Sequence, residues 1–151
     1  VVQTFSKSRS MAGMRIGFAM GHPDLIRALN DVKYSYNSYT MNLPSLLAGV
    51  EAVKDKEYFE KTIEKIVATR ERAKKRLTEL GFTFPNSQSN FIFASHKSVP
   101  AGKIFEALKK EQICVRYFKT PGLDNSLRIS IGTDEEMDTL FRFLEAYLPN
   151  A

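Results

Sequence analysis

The segment that decides the fold of this chain lies near its start and reads Thr4-Phe5-Ser6-Lys7-Ser8-Arg9-Ser10-Met11-Ala12-Gly13-Met14-Arg15-Ile16-Gly17. The residues from Val1 to Phe5 are mostly β-branched or aromatic, which predicts a short buried strand that ends just before Lys7. A lysine at the exit of a buried strand is partly desolvated. Desolvation favours the neutral amine, which is the form that attacks an aldehyde.

Polar groups around Lys7 extend this interpretation. The hydroxyls of Thr4 and Ser6 and the guanidinium of Arg15 are groups that a phosphate monoester requires. A reactive lysine beside a phosphate-binding cup is the pattern expected for pyridoxal phosphate. The residue types alone leave a second interpretation open, in which these are solvated loop residues that follow a strand.

The spacing of these residues resembles the cofactor-lysine signature of the fold type I aminotransferases, which depend on pyridoxal phosphate. In that signature a hydroxyl residue comes three positions before the lysine and an arginine eight positions after it, as Thr4, Lys7 and Arg15 do here. The resemblance implies that Lys7 binds the cofactor aldehyde and shuttles the substrate proton. It also implies that Ser6, Arg15 and Thr4 hold the cofactor phosphate.

Four further residues of this segment bear on the same resemblance. Ala12-Gly13 and Gly17 occupy the signature's small positions, and we expect Gly13 and Gly17 to allow a close backbone approach or a sharp turn. The resemblance gives no role to Arg9, which we interpret as solvated or adjacent to the phosphate.

A second arginine motif lies near the end of the chain, in Leu127-Arg128-Ile129-Ser130-Ile131-Gly132-Thr133. Arginine inside an apolar strand requires a partner, either an internal carboxylate or a bound anion. The motif resembles the α-carboxylate arginine of the same family. This resemblance implies that Arg128 binds the α-carboxylate of an amino-acid substrate.

A third arginine, Arg116, lies in the predicted strand just before that motif. The stretch from Val115 to Glu136 resembles the histidinol-phosphate aminotransferase branch of the family. There the corresponding arginine helps to hold the distal anion of the substrate, which is the phosphate of histidinol phosphate or the side-chain carboxylate of glutamate. Aromatic amino-acid aminotransferases and a phosphothreonine decarboxylase share much of this pattern, and both remain as alternatives.

The pattern of apolar residues predicts an α/β fold, with a parallel or mixed sheet. We expect strands at 1–5, 15–20, 90–95, 113–118 and 127–131, a helix from Pro23, and further helices at 43–54, 56–80, 101–111 and after Thr133. The helix from Pro23 should have an apolar stripe, and so should the final helix; the stripes are Leu25, Ile26 and Leu29, and Met137, Leu140, Phe141, Leu144 and Leu148. Gly81 is placed to end the long helix, and Thr133 with Glu136 forms a predicted capping box. The resemblance implies that residues 1–54 are the C-terminal end of a cofactor-binding large domain. Residues 55–151 would then be the small C-terminal α/β domain, joined by a long helix.

Complete members of this family are more than twice as long as this chain of 151 residues and form homodimers. They carry upstream an aromatic residue, an Asp, an Asn and a Tyr that contact the cofactor, none of which can be located here. We therefore expect the chain to be the C-terminal portion of a transaminase that acts on amino-acid and oxo-acid substrates, and to be inactive alone. A non-catalytic isolated domain is the alternative.

Composition argues against several other classes of protein. The chain has 22 Lys and Arg against 17 Asp and Glu, but its basic run, 70–76, is interleaved with glutamates, which is typical of a solvated helix face rather than of a nucleic-acid stripe. No apolar run is long enough for a membrane span, and no secretory signal is visible. A cytoplasmic protein without nucleic-acid or membrane partners is the expectation.

Several residues with reactive side chains are expected to be structural. His22 and His96 lie on predicted loops without metal-ligand spacing, so no metal site is predicted. Cys114, the single cysteine, is interpreted as a small core residue. Tyr34, Tyr36 and Tyr39 lie in a predicted polar-aromatic loop over 34–42. The resemblance places this loop near the dimer interface and the mouth of the active site, so these residues serve either there or in simple packing.

Overall fold

The computed structural model describes residues 1–151, which form two units, Val1–Ile63 and Glu64–Ala151. The boundary between them lies inside the long helix α4, which spans Lys56–Glu79. The predicted functional division after residue 54 stays a prediction.

The elements in chain order are β1 (Val2–Thr4), α1 (Phe5–Ser8), β2 (Gly17–Ala19), α2 (Pro23–Tyr36), α3 (Leu43–Lys54), α4 (Lys56–Glu79), β3 (Phe82–Thr83), β4 (Phe91–His96), α5 (Ala101–Lys110), β5 (Arg116–Tyr117), β6 (Leu127–Ser130) and α6 (Asp134–Tyr147).

The first unit is a two-stranded antiparallel ribbon, β1–β2, with helices α2 and α3. Its small core centres on Ile16, which is 7% exposed. Gly49 of α3 lies so close to Ile16 that an added Cβ would stand 3.0 Å from the isoleucine Cδ1. The buried Ser45 donates its hydroxyl to the Met14 carbonyl at 2.8 Å, which fastens α3 to the segment before β2.

Two predictions of burial in this unit are wrong. All three residues of β1 are exposed, Val2 at 82%, because the strand pairs only with β2 and neither face of this ribbon is covered within the chain. Helix α2 extends to Tyr36, beyond the predicted start of the loop, and its expected apolar stripe is also uncovered. Leu25 and Leu29 are exposed, and only Ile26 is half-buried.

The second unit is built on a four-stranded sheet in the order β3-β4-β6-β5, with every neighbouring pair antiparallel. The expectation of a parallel or mixed sheet is therefore wrong. Strand β4, helix α5 and strand β5 form a crossover, so β4 and β5 run in the same direction, as their alternation with the helix suggested. Strand β6 lies between them and runs against both, and β3 is a short strand that sequence reasoning missed.

One face of this sheet forms the core of the second unit. Residues alternate along β4, so Ile92 and Ala94 are fully buried while Phe91 and Phe93 on the other face are half-buried. The predicted stripe of α6 is confirmed at four positions, each at most 4% exposed. The buried cluster consists of Ala73, Leu77, Phe82, Ile92, Ala94, Val99, Ala101, Ile104, Leu108, Leu127, Ile129, Met137, Leu140, Phe141 and Leu144.

Helix ends in the second unit follow the predicted capping chemistry. The hydroxyl of Thr133 accepts a hydrogen bond from the Glu136 amide, and the Glu136 carboxylate accepts one from the Thr133 amide at 2.8 Å, which is a complete capping box. Gly81 follows α4 with a φ of +85°, and its amide bonds to the Thr78 carbonyl. Only glycine adopts this conformation without strain, so its predicted place after α4 is confirmed.

Several basic residues of α4 pair with carboxylates. Arg72 binds Asp134 at 2.8 Å and also Asp138. Hydrogen bonds from Arg72 and Thr69 lower the pKa of Asp134, and hydrogen bonds from Lys74 and Arg70 lower the pKa of Glu71. Lys74 pairs with Glu71 and Arg76 with Glu79 within the helix, while Arg72 and Arg76 also reach carboxylates of α6.

These lowered pKa values predict an acid-sensitive stability. Asp134 binds a proton less readily in the folded chain than in the unfolded chain. The stabilisation is therefore complete above the ordinary pKa of the carboxyl, about 4, and is lost as the pH falls through the lower folded value. We expect Asp134→Asn to unfold more easily at neutral pH and to lose less stability between about pH 5 and pH 3 than the parent protein. Thermal unfolding across that range is the measurement.

A control variant separates this ion pair from general charge effects. Asp124 is exposed and forms no ion pair, so Asp124→Asn should keep the parent's acid profile. The prediction fails if Asp134→Asn shows the same slope of unfolding temperature against pH as the parent protein.

Candidate functional site

Lys7 lies in α1, a single helical turn that follows β1 directly. Thr4 caps this turn, because its hydroxyl accepts a hydrogen bond from the Ser6 amide at 3.1 Å. The hydroxyl oxygens of Thr4 and Ser6 lie 2.8 Å apart. The ammonium of Lys7 is exposed and makes no hydrogen bond or ion pair within the chain, so burial by β1, expected to desolvate it, is not found.

Arg15 follows a 3₁₀ turn, Ala12–Met14, and adopts a left-handed conformation with a φ of +57°. Its exposed guanidinium donates to the Ala12 carbonyl at 2.9 Å. Pairing of Thr4 with Gly17 across the ribbon, and a bond from the Phe5 amide to the Ile16 carbonyl, bring this segment beside the start of α1. Thr4, Ser6, Lys7 and Arg15 are therefore attached to the same end of the ribbon.

Gly13 and Gly17, the two glycines of this segment, have different surroundings. A Cβ on Gly17 would stand 3.1 Å from the Gln3 carbonyl oxygen, so the expected close backbone approach is confirmed there. Gly13 lies within the 3₁₀ turn Ala12–Met14, but it has open space around it and no positive φ, so the expected close approach is not found and the turn does not require glycine.

The second cluster of predicted site residues lies on the sheet of the second unit. Arg116 of β5 and Arg128 of β6 are directly opposite each other across the antiparallel pair, so both side chains leave the same face. Neither guanidinium has a carboxylate partner, and the internal ion pair that the sequence left open for Arg128 is not found. The Nε of Arg128 is buried without any hydrogen-bond partner.

Aromatic rings support the two guanidiniums. The Cζ of Arg128 lies 5.3 Å from the ring centre of Phe91 and 5.8 Å from that of Phe118, and the Cζ of Arg116 lies 5.4 Å from Phe118. Phe118 also meets Phe93 edge to face. Cation–π contacts hold the flat groups in place while leaving their N–H donors free. The arrangement suits a planar carboxylate or a phosphate.

Sequence reasoning missed the environment of two arginines. Arg70, expected on a solvated face, is only 5% exposed, and it donates to the Ser89 carbonyl and to the Gln88 side chain, both at 3.3 Å. Its spacing from Ala73 and Leu77 continues the apolar stripe of α4, which was the available signal. Arg9, interpreted as solvated or phosphate-adjacent, is half-buried and bonded to the carbonyl of Ala52 at 2.7 Å.

The other reactive residues have structural or exposed positions. His96 ends β4 rather than lying on a loop, and it is 8% exposed, with Nε2 bonded to the Leu80 carbonyl and Nδ1 accepting from the Val99 amide. Its structural role is confirmed. His22 caps α2. Cys114 is exposed, so its predicted core position is wrong; it precedes β5, which is shorter than predicted.

Tyr36 and Tyr39 are more than 90% exposed, and their role near an interface stays a prediction. No three or more His, Cys, Asp and Glu side chains cluster in a way that would hold a metal ion. None of the helices combines the length and the apolar character that crossing a bilayer requires.

Comparisons with known proteins identify the family of the chain. The sequence model of the family described as aminotransferase class I and II matches residues 1–144. A histidinol-phosphate aminotransferase of Brachyspira hyodysenteriae is 51% identical over 150 residues, which are 99% of this chain and 42% of that protein. One of Clostridium acetobutylicum is 56% identical over 137 residues, 91% of this chain and 39% of that protein.

A solved structure gives the same result for the fold. Histidinol-phosphate aminotransferase of Sinorhizobium meliloti, in complex with pyridoxal-5'-phosphate, superposes with a TM-score of 0.77 and 28% identity over 98% of this chain and 39% of that one. This chain thus spans about two fifths of the length of the relatives it matches. The predicted fold, part of an α/β aminotransferase, is confirmed, and the chain belongs to the class I and II aminotransferase family.

Proposed function

We propose that this chain is the C-terminal part of a pyridoxal-phosphate-dependent aminotransferase, and that the complete protein transfers an amino group between histidinol phosphate and 2-oxoglutarate. The observation that carries the proposal is the pair Arg116 and Arg128, opposite each other and without carboxylates. Like charges placed directly across two strands destabilise a sheet, so the pair becomes favourable when an anion binds between them. The names of the relatives at 51% and 56% identity support the substrate.

The residues of the first unit fit the cofactor. Pyridoxal phosphate presents an aldehyde and a phosphate ester, and the Lys7 amine is free of ion pairs. The Thr4 and Ser6 hydroxyls, 2.8 Å apart, and the Arg15 cation at the same end of the ribbon are suitable donors for the phosphate. When bound, the cofactor would supply a ring that withdraws electrons from the substrate carbon.

Lys7 has two tasks in this proposal. Its Nζ would hold the cofactor aldehyde. When free, the same amine would accept the proton of the substrate α-carbon as a general base and give a proton back as a general acid. An exposed lysine without an ion-pair partner is available for both steps within this chain.

Arg128 and Arg116 would orient the two substrates in turn. Glutamate carries two carboxylates, one for each guanidinium, whereas histidinol phosphate has a phosphate as its only anion, on which both guanidiniums converge. The aromatic contacts to Phe91 and Phe118 fix the direction of the donors before the substrate binds, which lowers the entropic cost of orientation. We also propose that the complete protein acts as a cytoplasmic homodimer, as the family resemblance implies.

A substrate comparison tests the role of Arg116. In the complete protein, we expect Arg116→Ala to raise the KM for histidinol phosphate and for glutamate about tenfold, because one charged hydrogen-bonding partner is lost. The Ki of the monocarboxylate inhibitor 3-phenylpropanoate should change little, since Arg128 alone binds it. Steady-state kinetics with both substrates and this inhibitor is the measurement.

The matched control is Arg142→Ala, an exposed arginine of α6 that donates only to the Thr139 hydroxyl. This variant should behave like the parent protein. An equal loss toward the substrates and the monocarboxylate would contradict the assigned role of Arg116. A parent protein that does not use histidinol phosphate would overturn the proposed substrate.

A further inference from the structure

Arg9 joins three elements of the first unit and has no part in the function proposed above. Its backbone amide bonds to the Phe5 carbonyl and so closes the turn that carries Lys7 two residues earlier. Its side chain reaches away from that turn, where Nη1 donates to the Ala52 carbonyl at 2.7 Å. Its Cζ lies 3.7 Å from the ring centre of Phe59.

The bond to Ala52 stabilises the C-terminal end of α3. Ala52 lies in the last turn of α3, where carbonyls have no partner within the helix. A guanidinium at this position satisfies one of them and also interacts favourably with the negative end of the helix dipole. Asp55 already satisfies the Glu51 carbonyl through its backbone amide, so Arg9 adds the next bond at the same helix end.

The contact with Phe59 fixes the plane of the guanidinium. Phe59 lies in the first turn of α4, and a distance of 3.7 Å places the flat cation directly over the ring. Lysine could supply the charge but not this stacked, planar geometry. Ser10, which directly follows Arg9, has a φ of +55°, and this is an unfavourable conformation for a residue other than glycine. Such backbone persists only where surrounding contacts hold it.

We propose that Arg9 is a positioning residue, which ties the turn of Lys7 to the ends of α3 and α4 and thereby holds the Lys7 amine in the orientation that the cofactor aldehyde requires. This inference rests on the proposed function of Lys7. It also accounts for a half-buried arginine that neither binds a carboxylate nor belongs to the phosphate-binding group. Arg9 itself does not touch the cofactor in this proposal.

The test uses the complete protein loaded with pyridoxal phosphate. The variants are Arg9→Lys, which keeps the charge, Phe59→Leu, which removes the ring, and Arg9→Ala. We expect Arg9→Lys to bind the cofactor about tenfold more weakly and to shift the pH midpoint of the visible absorbance of the lysine-bound cofactor. Phe59→Leu should shift the midpoint in the same direction, and combining it with Arg9→Lys should add little.

The control variant is Arg27→Lys, an exposed arginine of α2 that is paired with Asp24. Its pH midpoint and cofactor affinity should equal those of the parent protein. If Arg9→Lys and Phe59→Leu fold and keep the parent's midpoint and affinity, the positioning role is overturned while the function of Lys7 stands. If the parent protein itself shows no visible band with the cofactor, both proposals fall. If Arg9→Ala does not fold, the results for Arg9→Lys and Phe59→Leu decide whether Arg9 has the positioning role.

Discussion

Replacing Lys7 by alanine in the complete protein is expected to reduce the rate of transamination by at least about 10⁴-fold, because one side chain serves as the covalent holder and as the acid–base group. The fold should not change, since Lys7 is exposed and bonds to nothing through its ammonium. Single-turnover rates with saturating cofactor and glutamate are the measurement. Because the cofactor is saturating, these rates report a slower transamination step and not weaker binding of the cofactor.

Lys33 provides the matched control for this substitution. It is an exposed lysine of α2 in the same unit, and Lys33→Ala should leave the rate within about twofold of the parent. A Lys7→Ala protein that retains more than a few per cent of the parent rate would show that another group moves the proton. In that case the assignment of Lys7 would have to be abandoned.

Arg128→Ala is expected to reduce activity without reducing stability. The value of kcat/KM for glutamate and for histidinol phosphate should fall by roughly a hundredfold, since a charged, two-pronged partner of the substrate anion is lost. Without substrate, thermal stability should be unchanged or higher. The substitution removes a buried Nε that has no partner and one of two like charges on adjacent strands.

Arg70→Ala is the contrasting control for Arg128. Arg70 is buried and its hydrogen bonds to Gln88 and Ser89 are made within the chain, so its loss leaves those acceptors unpaired. This variant should unfold at a lower temperature. If Arg128→Ala is instead the more destabilising of the two, Arg128 is a structural residue and the anion site is wrongly placed.

Helix boundaries were the most predictable part of the fold because local chemistry determines them. The capping box of Thr133 and Glu136 and the positive φ of Gly81 are properties of a few adjacent residues, and both were found where the sequence placed them. The bounds of α3 agree for the same reason, since Asn42 caps the helix and bonds the Ser45 amide.

Strand environment was predicted less well because it depends on partners distant in sequence. The insertion of β6 between β4 and β5 is a long-range pairing that no local pattern reveals, and the exposure of β1 reflects what covers a strand rather than its composition. The same limit applied to Arg9, whose partners Ala52 and Phe59 lie more than forty residues away.

For the candidate site, the sequence likewise predicted which residues take part but not how they are arranged. The identities of Lys7, Arg15, Arg116 and Arg128 came from spacing that the family preserves in a linear segment. Their environment came only from the structure. The register that sets Arg116 opposite Arg128, and the aromatic contacts beneath both, were not visible in the sequence.

One covalent labelling experiment tests the central claim most directly. The complete protein, loaded with pyridoxal phosphate and reduced with borohydride, should yield after proteolysis a single modified peptide whose pyridoxyl group is attached to Lys7. Recovery of the label on another lysine, or of no label from a protein that is folded and saturated with the cofactor, would contradict the assignment.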